Sequence, residues 1–457
     1  MLFTSWLTML VFSTFKEGTN NKMRTTMMNR LGVMMLSYMM MLMMNSMKMM
    51  MLKPGMTMYN SWLSLTMYKL PMMLMMMMMM MGMLMYKCMN ERKREESSNY
   101  TMLMLGNSMG LMLLPLANDL LTLYMMMELQ SYSLYLLTGM DNKSYNASRA
   151  SMLYFLMGGV ASAMMLLSMY FMYNLTGTTN LSDIYMFNNY KNTYPYFDML
   201  LMALFFKMGL APLHRWSMAV YNYTPTYMTA YMSMVAKLSM ISWMFYYSYL
   251  FNNYIFMMFY YMSLFMGSYK PLLQMNMKTM LGYSGMLNFG YLLLTMMTLD
   301  SSFYMFMMQY TMTHLLMFMI MLSSSNYMMN PMSKWSPLMY MNQLNLPNYT
   351  LSMCMVMGML SLMGMPPLPG FYAKLNMLMS ALEDNYILES LMLMICSVLA
   401  TYYYANLMKM LMRSKTMSHT YNMNLSLAYL MATLTVMLMS FNMYLPYMSE
   451  GMYLMMI

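Results

Sequence analysis

Charge is the first thing this sequence lacks. Of 457 residues, 8% are Asp, Glu, Lys or Arg and 60% are hydrophobic, whereas a soluble domain carries about a quarter charged residues. So little polar surface cannot cover a water-exposed fold, and lipid is the expected solvent for most of the chain. Cysteine is nearly absent. Cys88, Cys354 and Cys396 lie far apart with no CxxC spacing, which excludes a disulfide framework and a cysteine-ligated metal centre. A Gly-rich dinucleotide fingerprint, a P-loop and an iron–sulfur cysteine cluster are also missing. No cofactor is therefore expected on this chain, and any ion movement must draw on energy released elsewhere. Isoleucine is scarce, with seven residues against 100 Met. Methionine fills the apolar runs, as at 75–81, instead of forming spaced loop motifs, which argues against soft-metal transport. Reading AUA as methionine, as many mitochondrial codes do, turns isoleucine positions into Met and points to synthesis inside a mitochondrion. The opening MLFTSWLTMLVFSTF has no basic start and no small-residue cleavage site, so it is expected to persist as a first helix.

Runs of apolar residues are what the chain has in abundance. A span needs about 20 of them. Fourteen segments fit: 1–15, 29–52, 70–87, 101–117, 119–137, 149–173, 197–221, 226–249, 252–268, 278–298, 301–323, 350–382, 386–411 and 423–446. Basic residues test the count, because they gather on the side of insertion. Of the 24 Lys and Arg residues, seventeen fall in loops after odd-numbered segments, Arg215 and Lys278 among them. Four fall after even-numbered ones: Lys48, Lys53, Lys69 and Lys191. This bias predicts odd loops in the matrix and both termini in the intermembrane space. Asp300, Glu383, Asp384 and Glu450 fall on the side opposite the basic loops. The net charge of +10 thus reads as topology control, not as a nucleic-acid surface. The expected organisation is three N-terminal spans with a loop (1–100), spans 4–8 (101–250), spans 9–13 (251–415) and a last span (416–457).

Four charges sit where hydropathy forbids them. Glu128, Lys207, Lys237 and Lys374 lie inside spans. Lys207 is about ten residues into its span, roughly 15 Å from the nearer surface at 1.5 Å per residue, too deep for its stem to reach water. Charges at that depth pair with one another or face a wet cavity, and they mark ion paths. One acid cannot satisfy three bases. At least one lysine therefore needs water, loss of its proton, or a partner on another subunit. Static clamping of helices is the competing reading of such charges.

Two of the lysines adjoin helix breakers: Gly209 and Pro212 follow Lys207 in LFFKMGLAPLHRW, and Gly364, Pro366, Pro367 and Pro369 precede Lys374 in LMGMPPLPGFYAK. Proline inside a helix frees a carbonyl, tolerated at membrane depth only beside protein or water. The two breaks lie five spans apart on segments of opposite direction, the pattern of an inverted repeat with the transport path between its halves. The expected fold is thus all-α and polytopic, with about fourteen transmembrane helices, inverted five-helix repeats at spans 4–8 and 9–13, and broken helices 7 and 12. His314, near the middle of span 11, is a candidate proton carrier by its near-neutral titration, with a packing role equally open. His214 lies just past the first break, near Arg215.

With these residues in view, the chain resembles the antiporter-like subunits of respiratory complex I, mitochondrial NADH:ubiquinone oxidoreductase. The resemblance rests on MELQSYSLYLL around Glu128, FFKMGLAPLHRWSMAVY around Lys207, MVAKLSM around Lys237, MKTMLGYSGMLNFGYLL from Lys278 and LMGMPPLPGFYAKLNML around Lys374. It covers nearly the whole chain. It implies a Glu128–Lys207 pair, Lys237 as central relay and Lys374 on the route to the intermembrane space. Lys374 replaces the glutamate of sibling subunit 4, and the chain is shorter than subunit 5 with its lateral helix. Arg215 and the LGYSGMLN string depart from the commoner family pattern, which puts a role for His214 in question. The resemblance also implies an inner-membrane proton pump whose NADH, FMN, iron–sulfur clusters and ubiquinone are held by other subunits. Implied partners are the membrane-arm subunits, including subunit 4 and the lateral helix of subunit 5, and phospholipid such as cardiolipin. A self-standing cation/proton antiporter and a structural membrane spacer remain as alternatives.

Overall fold

The computed structural model describes residues 2–14, 21–50, 55–90, 99–140, 144–188, 194–324, 349–412 and 425–456. Several sequence-predicted loop charges, including Lys16, Arg92, Lys93, Arg94, Lys143, Lys191, Lys334, Arg413 and Lys415, lie outside the described residues, as does the side chain of Glu450. Met and Leu, neither of them branched at Cβ and both of high helix propensity, dominate the apolar runs, and a helix satisfies its own backbone where water is scarce. The chain accordingly folds as helices: α1 (Leu2–Thr14), α2 (Asn21–Met50), α3 (Lys69–Asn90), α4 (Asn99–Leu113), α5 (Leu120–Gly139), α6 (Tyr145–Thr176), α7 (Leu181–Asn188), α8 (Tyr194–Met208), α9 (Arg215–Tyr223), α10 (Thr226–Tyr246), α11 (Asn253–Tyr269), α12 (Met277–Thr298), α13 (Ser302–Ser323), α14 (Tyr349–Met363), α15 (Pro369–Glu383), α16 (Ile387–Leu411) and α17 (Leu425–Met456). Each expected span is helical over most of its length, and the seventh and twelfth are each two helices. Among the described residues, five helical segments are long and apolar enough to cross a membrane: Thr26–Met47, Lys69–Cys88, Tyr145–Thr176, Ser302–Ser323 and Ile387–Leu411.

Helix starts follow local chemistry. The Asp119 side chain accepts from Leu121 N at 3.3 Å to cap α5, and Ser144 Oγ accepts from Ala147 N at 3.3 Å to cap α6. Such caps satisfy backbone N–H groups that a helix leaves unpaired. Among the described residues, the sheet structure is a small antiparallel hairpin of β1 (Met56–Met58) and β2 (Leu63–Leu65), with Thr57 opposite Ser64, and two isolated bridges.

Two compact units divide the chain. The first comprises Met1–Met208 and Val235–Asn252, and the second Gly209–Met234 and Asn253–Ile457. In the first, α4 packs on α5, α6 on α5 and α8, and α2 on α3. In the second, α11 packs on α12, α13 on α14 and α15, and α16 on α11 and α14. Helices α12 and α13 are buried on nearly every side, as expected of helices apolar all round at the centre of a bundle. Helices α6 and α16 instead turn Phe155, Leu156, Leu166, Ile395, Val398 and Tyr402 outward, an apolar exterior suited to lipid.

Three of the charges counted in loops lie instead in helices with buried side chains: Lys69 is the first residue of α3, Lys87 is in its last turn and Lys278 is the second of α12. Each lies at the edge of an apolar run, where hydropathy reads a loop, but tertiary contacts close over it.

Candidate functional site

In the first unit, α5 and α8 bring Glu128 and Lys207 together. Lys207 Nζ donates to Glu128 Oε1 at 2.9 Å, and Ser131 Oγ, one helical turn on, donates to Oε2 at 3.2 Å. Both charged residues are more than nine-tenths buried. This is the sole ion pair among the described residues. A buried pair of this kind is costly to desolvate and costlier to break, since removing one partner strands the other charge. Its electrostatic energy is large enough to matter for charge movement, because screening by water is weak at this depth.

The helix bearing Lys237 is tied to the same place. Gln130, two residues after Glu128, donates from Nε2 to the carbonyl of Ala236 at 2.8 Å, and Ser239 Oγ donates to Gln130 Oε1 at 3.0 Å. One carboxamide thus clamps the α10 backbone on both sides of Lys237, whose side chain is buried.

The second unit solves the same problem without a carboxylate. Lys374, in the second turn of α15, donates from Nζ to the carbonyls of Leu362 and Met363 at 3.1 and 3.0 Å. These are the last carbonyls of α14, left without helical partners by the break, and a cation at a helix C-terminus is favoured by the dipole. The Tyr291 ring centroid lies 5.6 Å from the ammonium. Gly364, with φ +85°, turns the chain, and the peptide between Pro366 and Pro367 is cis. A methyl group on Gly370 would collide with the Ser361 carbonyl, so glycine there lets α15 lie against α14.

The first break is built alike. Gly209 has φ +67°, the Ala211–Pro212 peptide is cis, and α9 resumes at Arg215. His214 at its start is buried with its ring edge-on to Tyr283. His314, on α13, is buried; its Nε2 lies 3.4 Å from Asn288 Nδ2 and its ring 4.3 Å from that of Tyr310.

Sequence reasoning missed further buried charges. Glu389, in the first turn of α16, accepts from the Tyr261 hydroxyl at 2.7 Å, and its carbonyl accepts from Tyr260 at 2.6 Å. Lys278 Nζ donates to the Thr224 carbonyl at 2.7 Å. Lys69 donates to Ser64 and Tyr247. No sequence signal separates these from solvated helix ends, because Tyr261, Thr224 and Tyr247 are remote in the chain from their partners and Ser64 is brought to Lys69 only by the hairpin.

A buried ion pair and a buried lysine beside broken helices are what an ion-translocating membrane protein of the antiporter type is expected to carry. Comparison with known proteins narrows the class. Residues 117–401 match the family described as NADH:quinone oxidoreductase/Mrp antiporter, TM. The NADH-ubiquinone oxidoreductase chain 2 of Debaryomyces hansenii is 54% identical over 99% of both chains. A chain of the respiratory complex I of Thermus thermophilus, solved with bound aureothin, matches at a TM-score of 0.79 and 20% identity over 97% of this chain and 96% of that one. A chain of the Mrp complex of a Dietzia species matches at a TM-score of 0.80 and 14% identity over 99% and 93%. The chain belongs to the NADH:quinone oxidoreductase/Mrp antiporter family.

Proposed function

We propose that this chain is the proton-translocating antiporter-like subunit at the chain 2 position of respiratory complex I, in the mitochondrial inner membrane. The observation that carries the reading is the buried Glu128–Lys207 pair at 2.9 Å, a charge pair of the kind that marks ion paths at membrane depth. Identity of 54% over the full length of a chain 2 relative supports complex I over a self-standing antiporter. The fold likenesses do not separate the two.

On this reading, protonation and separation of the Glu128–Lys207 pair shifts the proton affinity of Lys237, and protons pass by way of His314 to Lys374. Moving one charge against the membrane potential takes about 2.3 kcal/mol per 100 mV, within reach of rearranged buried charges. Spans 4–8 and 9–13 form the inverted repeats, about fourteen helices cross the bilayer, and the termini face the intermembrane space. Electron transfer from NADH through FMN and iron–sulfur clusters to ubiquinone takes place in other subunits. Partners are the other membrane-arm subunits, including subunit 4 and the lateral helix of subunit 5. A phospholipid such as cardiolipin is an expected neighbour, and an open apolar cavity of about 630 Å³ lined by Trp6, Leu10, Met102 and Leu136, among others, is of a size to take part of one acyl chain.

Lys237→Met and Lys374→Met tests the path. In inner-membrane vesicles containing the assembled complex, both variants are expected to lower the number of protons moved per electron. A wild-type ratio in both would overturn the assignment.

A further inference from the structure

Gln130 stands two residues after Glu128 on α5 and carries no charge. At about 100° per residue, the two side chains leave the helix roughly 200° apart. Glu128 accordingly meets Lys207 of α8, while Gln130 meets α10. Helix α5 thus stands between the ion pair and the helix that carries Lys237. Gln130 is 1% exposed, and both ends of its carboxamide bond α10. Nε2 donates to the Ala236 carbonyl at 2.8 Å, and Oε1 accepts from Ser239 Oγ at 3.0 Å. The same hydroxyl lies 3.1 Å from the Ala236 carbonyl. Carboxamide, carbonyl and hydroxyl therefore close a ring on the peptide that leads into Lys237.

The backbone of Gln130 is held from the other side by α4. Asn107 Nδ2 donates to the Gln130 carbonyl at 2.9 Å and to Ser133 Oγ at 2.6 Å. A methyl group on Gly110 would lie 3.0 Å from Gln130 N, so glycine there lets α4 press against this turn of α5. On the next residue, Ser131 Oγ donates to Glu128 Oε2 at 3.2 Å. One turn of α5, from Glu128 to Ser131, thus grips the carboxylate on one face and α10 on another. A buried carboxamide is costly to leave unpaired, which keeps the ring closed when α5 moves. Any tilt or turn of α5 then reaches α10 at the peptide beside Lys237.

We propose that Gln130 is a positioning residue for proton translocation, fixing Lys237 against the Glu128–Lys207 pair and carrying movement of α5 into α10 when that pair separates. No proton passes through Gln130, and its amide stays neutral throughout. Its role is to set a separation. Charges at this depth are weakly screened, and their interaction falls with distance, so the proton affinity of Lys237 follows its place relative to the pair. Without the clamp the pair still forms, but its separation no longer moves α10. The assignment rests on the proposed translocation reading.

The alternative is packing, in which the carboxamide only holds the bundle together. Protons moved per electron are measured in inner-membrane vesicles containing the assembled complex, for Gln130→Met, Asn107→Leu and Lys237→Met. The ratio is taken per electron, so a variant that merely assembles poorly leaves it unchanged. Gln130→Met keeps the length of the side chain and loses both bonds to α10. Asn107→Leu keeps bulk and cuts the tie between α4 and α5 instead. Positioning predicts that Gln130→Met falls at least halfway to the ratio of Lys237→Met, with Asn107→Leu at the wild-type value. A wild-type ratio in Gln130→Met, or an equal fall in Asn107→Leu, overturns the assignment. So does a fall that is matched by faster decay of the gradient once NADH is spent, since that is leak. If Lys237→Met itself keeps the wild-type ratio, the translocation reading fails and takes this assignment with it. Should Gln130→Met not assemble, Ser239→Ala removes the bond to Oε1 alone. A lowered ratio there supports the positioning role, and a wild-type ratio overturns it.

Discussion

The two broken helices carry the same punctuation and hold their lysines by different means. At the first break, Lys207 is neutralised by the Glu128 carboxylate at 2.9 Å. At the second, Lys374 is held at 3.0 and 3.1 Å by carbonyls that the break itself frees. A carboxylate partner makes a pair whose members must change state together. Carbonyl partners leave the lysine free to gain or lose a proton alone. On the proposed reading, the difference divides the labour: a gated switch in one unit and an open relay in the other.

The largest expected effect breaks the switch. Glu128→Gln strands a buried ammonium and is expected to cost about 3–5 kcal/mol, read as loss of assembled complex on native gels. Normal assembly would show that Lys207 is wetter than its burial implies. At the relay no charge is stranded, and Lys374→Met leaves two neutral helix-end carbonyls without their donor, a smaller loss than a stranded ion. It is expected to assemble at a higher level than Glu128→Gln.

The glycines sharpen the comparison at smaller scale. Alanine at Gly209 or Gly364 must adopt positive φ, at about 1–2 kcal/mol. At Gly209 the added carbon lies 2.5 Å from Ser217 Cβ, whereas at Gly364 the nearest atom is Lys374 Cδ at 3.1 Å, on a side chain able to yield. Gly209→Ala is therefore expected to lower the thermal midpoint of the solubilised complex more than Gly364→Ala. The reverse order would mean that the Lys374 stem is locked in place.

Much of this was legible in the sequence. Hydropathy against charge located Glu128, Lys207, Lys237 and Lys374, and the glycine–proline clusters located both breaks. The loop reading failed for Lys69 and Lys278. Their burial depends on a hairpin strand and on the Thr224 carbonyl, contacts that no local pattern encodes. Glu389, inside the expected span 386–411, is not singled out by the sequence, because its partner Tyr261 lies 128 residues away in the chain. That a carbonyl pair would hold Lys374 was beyond reach too, because backbone partners leave no trace in residue identity.

The smallest effect belongs to the edge of the second unit. Burial, together with Asp384 and Glu383, holds the Asp300 carboxyl above its usual range. A raised folded-state value means that the folded form binds the proton more tightly than the unfolded chain, so stability is lost as pH rises through that window. Asp300→Asn is expected to raise the thermal midpoint slightly at pH 8, by less at pH 5.5. A gain independent of pH would contradict the electrostatic origin.

One measurement bears most directly on the switch. Glu128→Gln combined with Lys207→Met removes both charges at once and strands neither, so the complex is expected to assemble. In inner-membrane vesicles, NADH oxidation should continue while fewer protons move per electron. A wild-type ratio in that double variant would show that the buried pair only clamps helices.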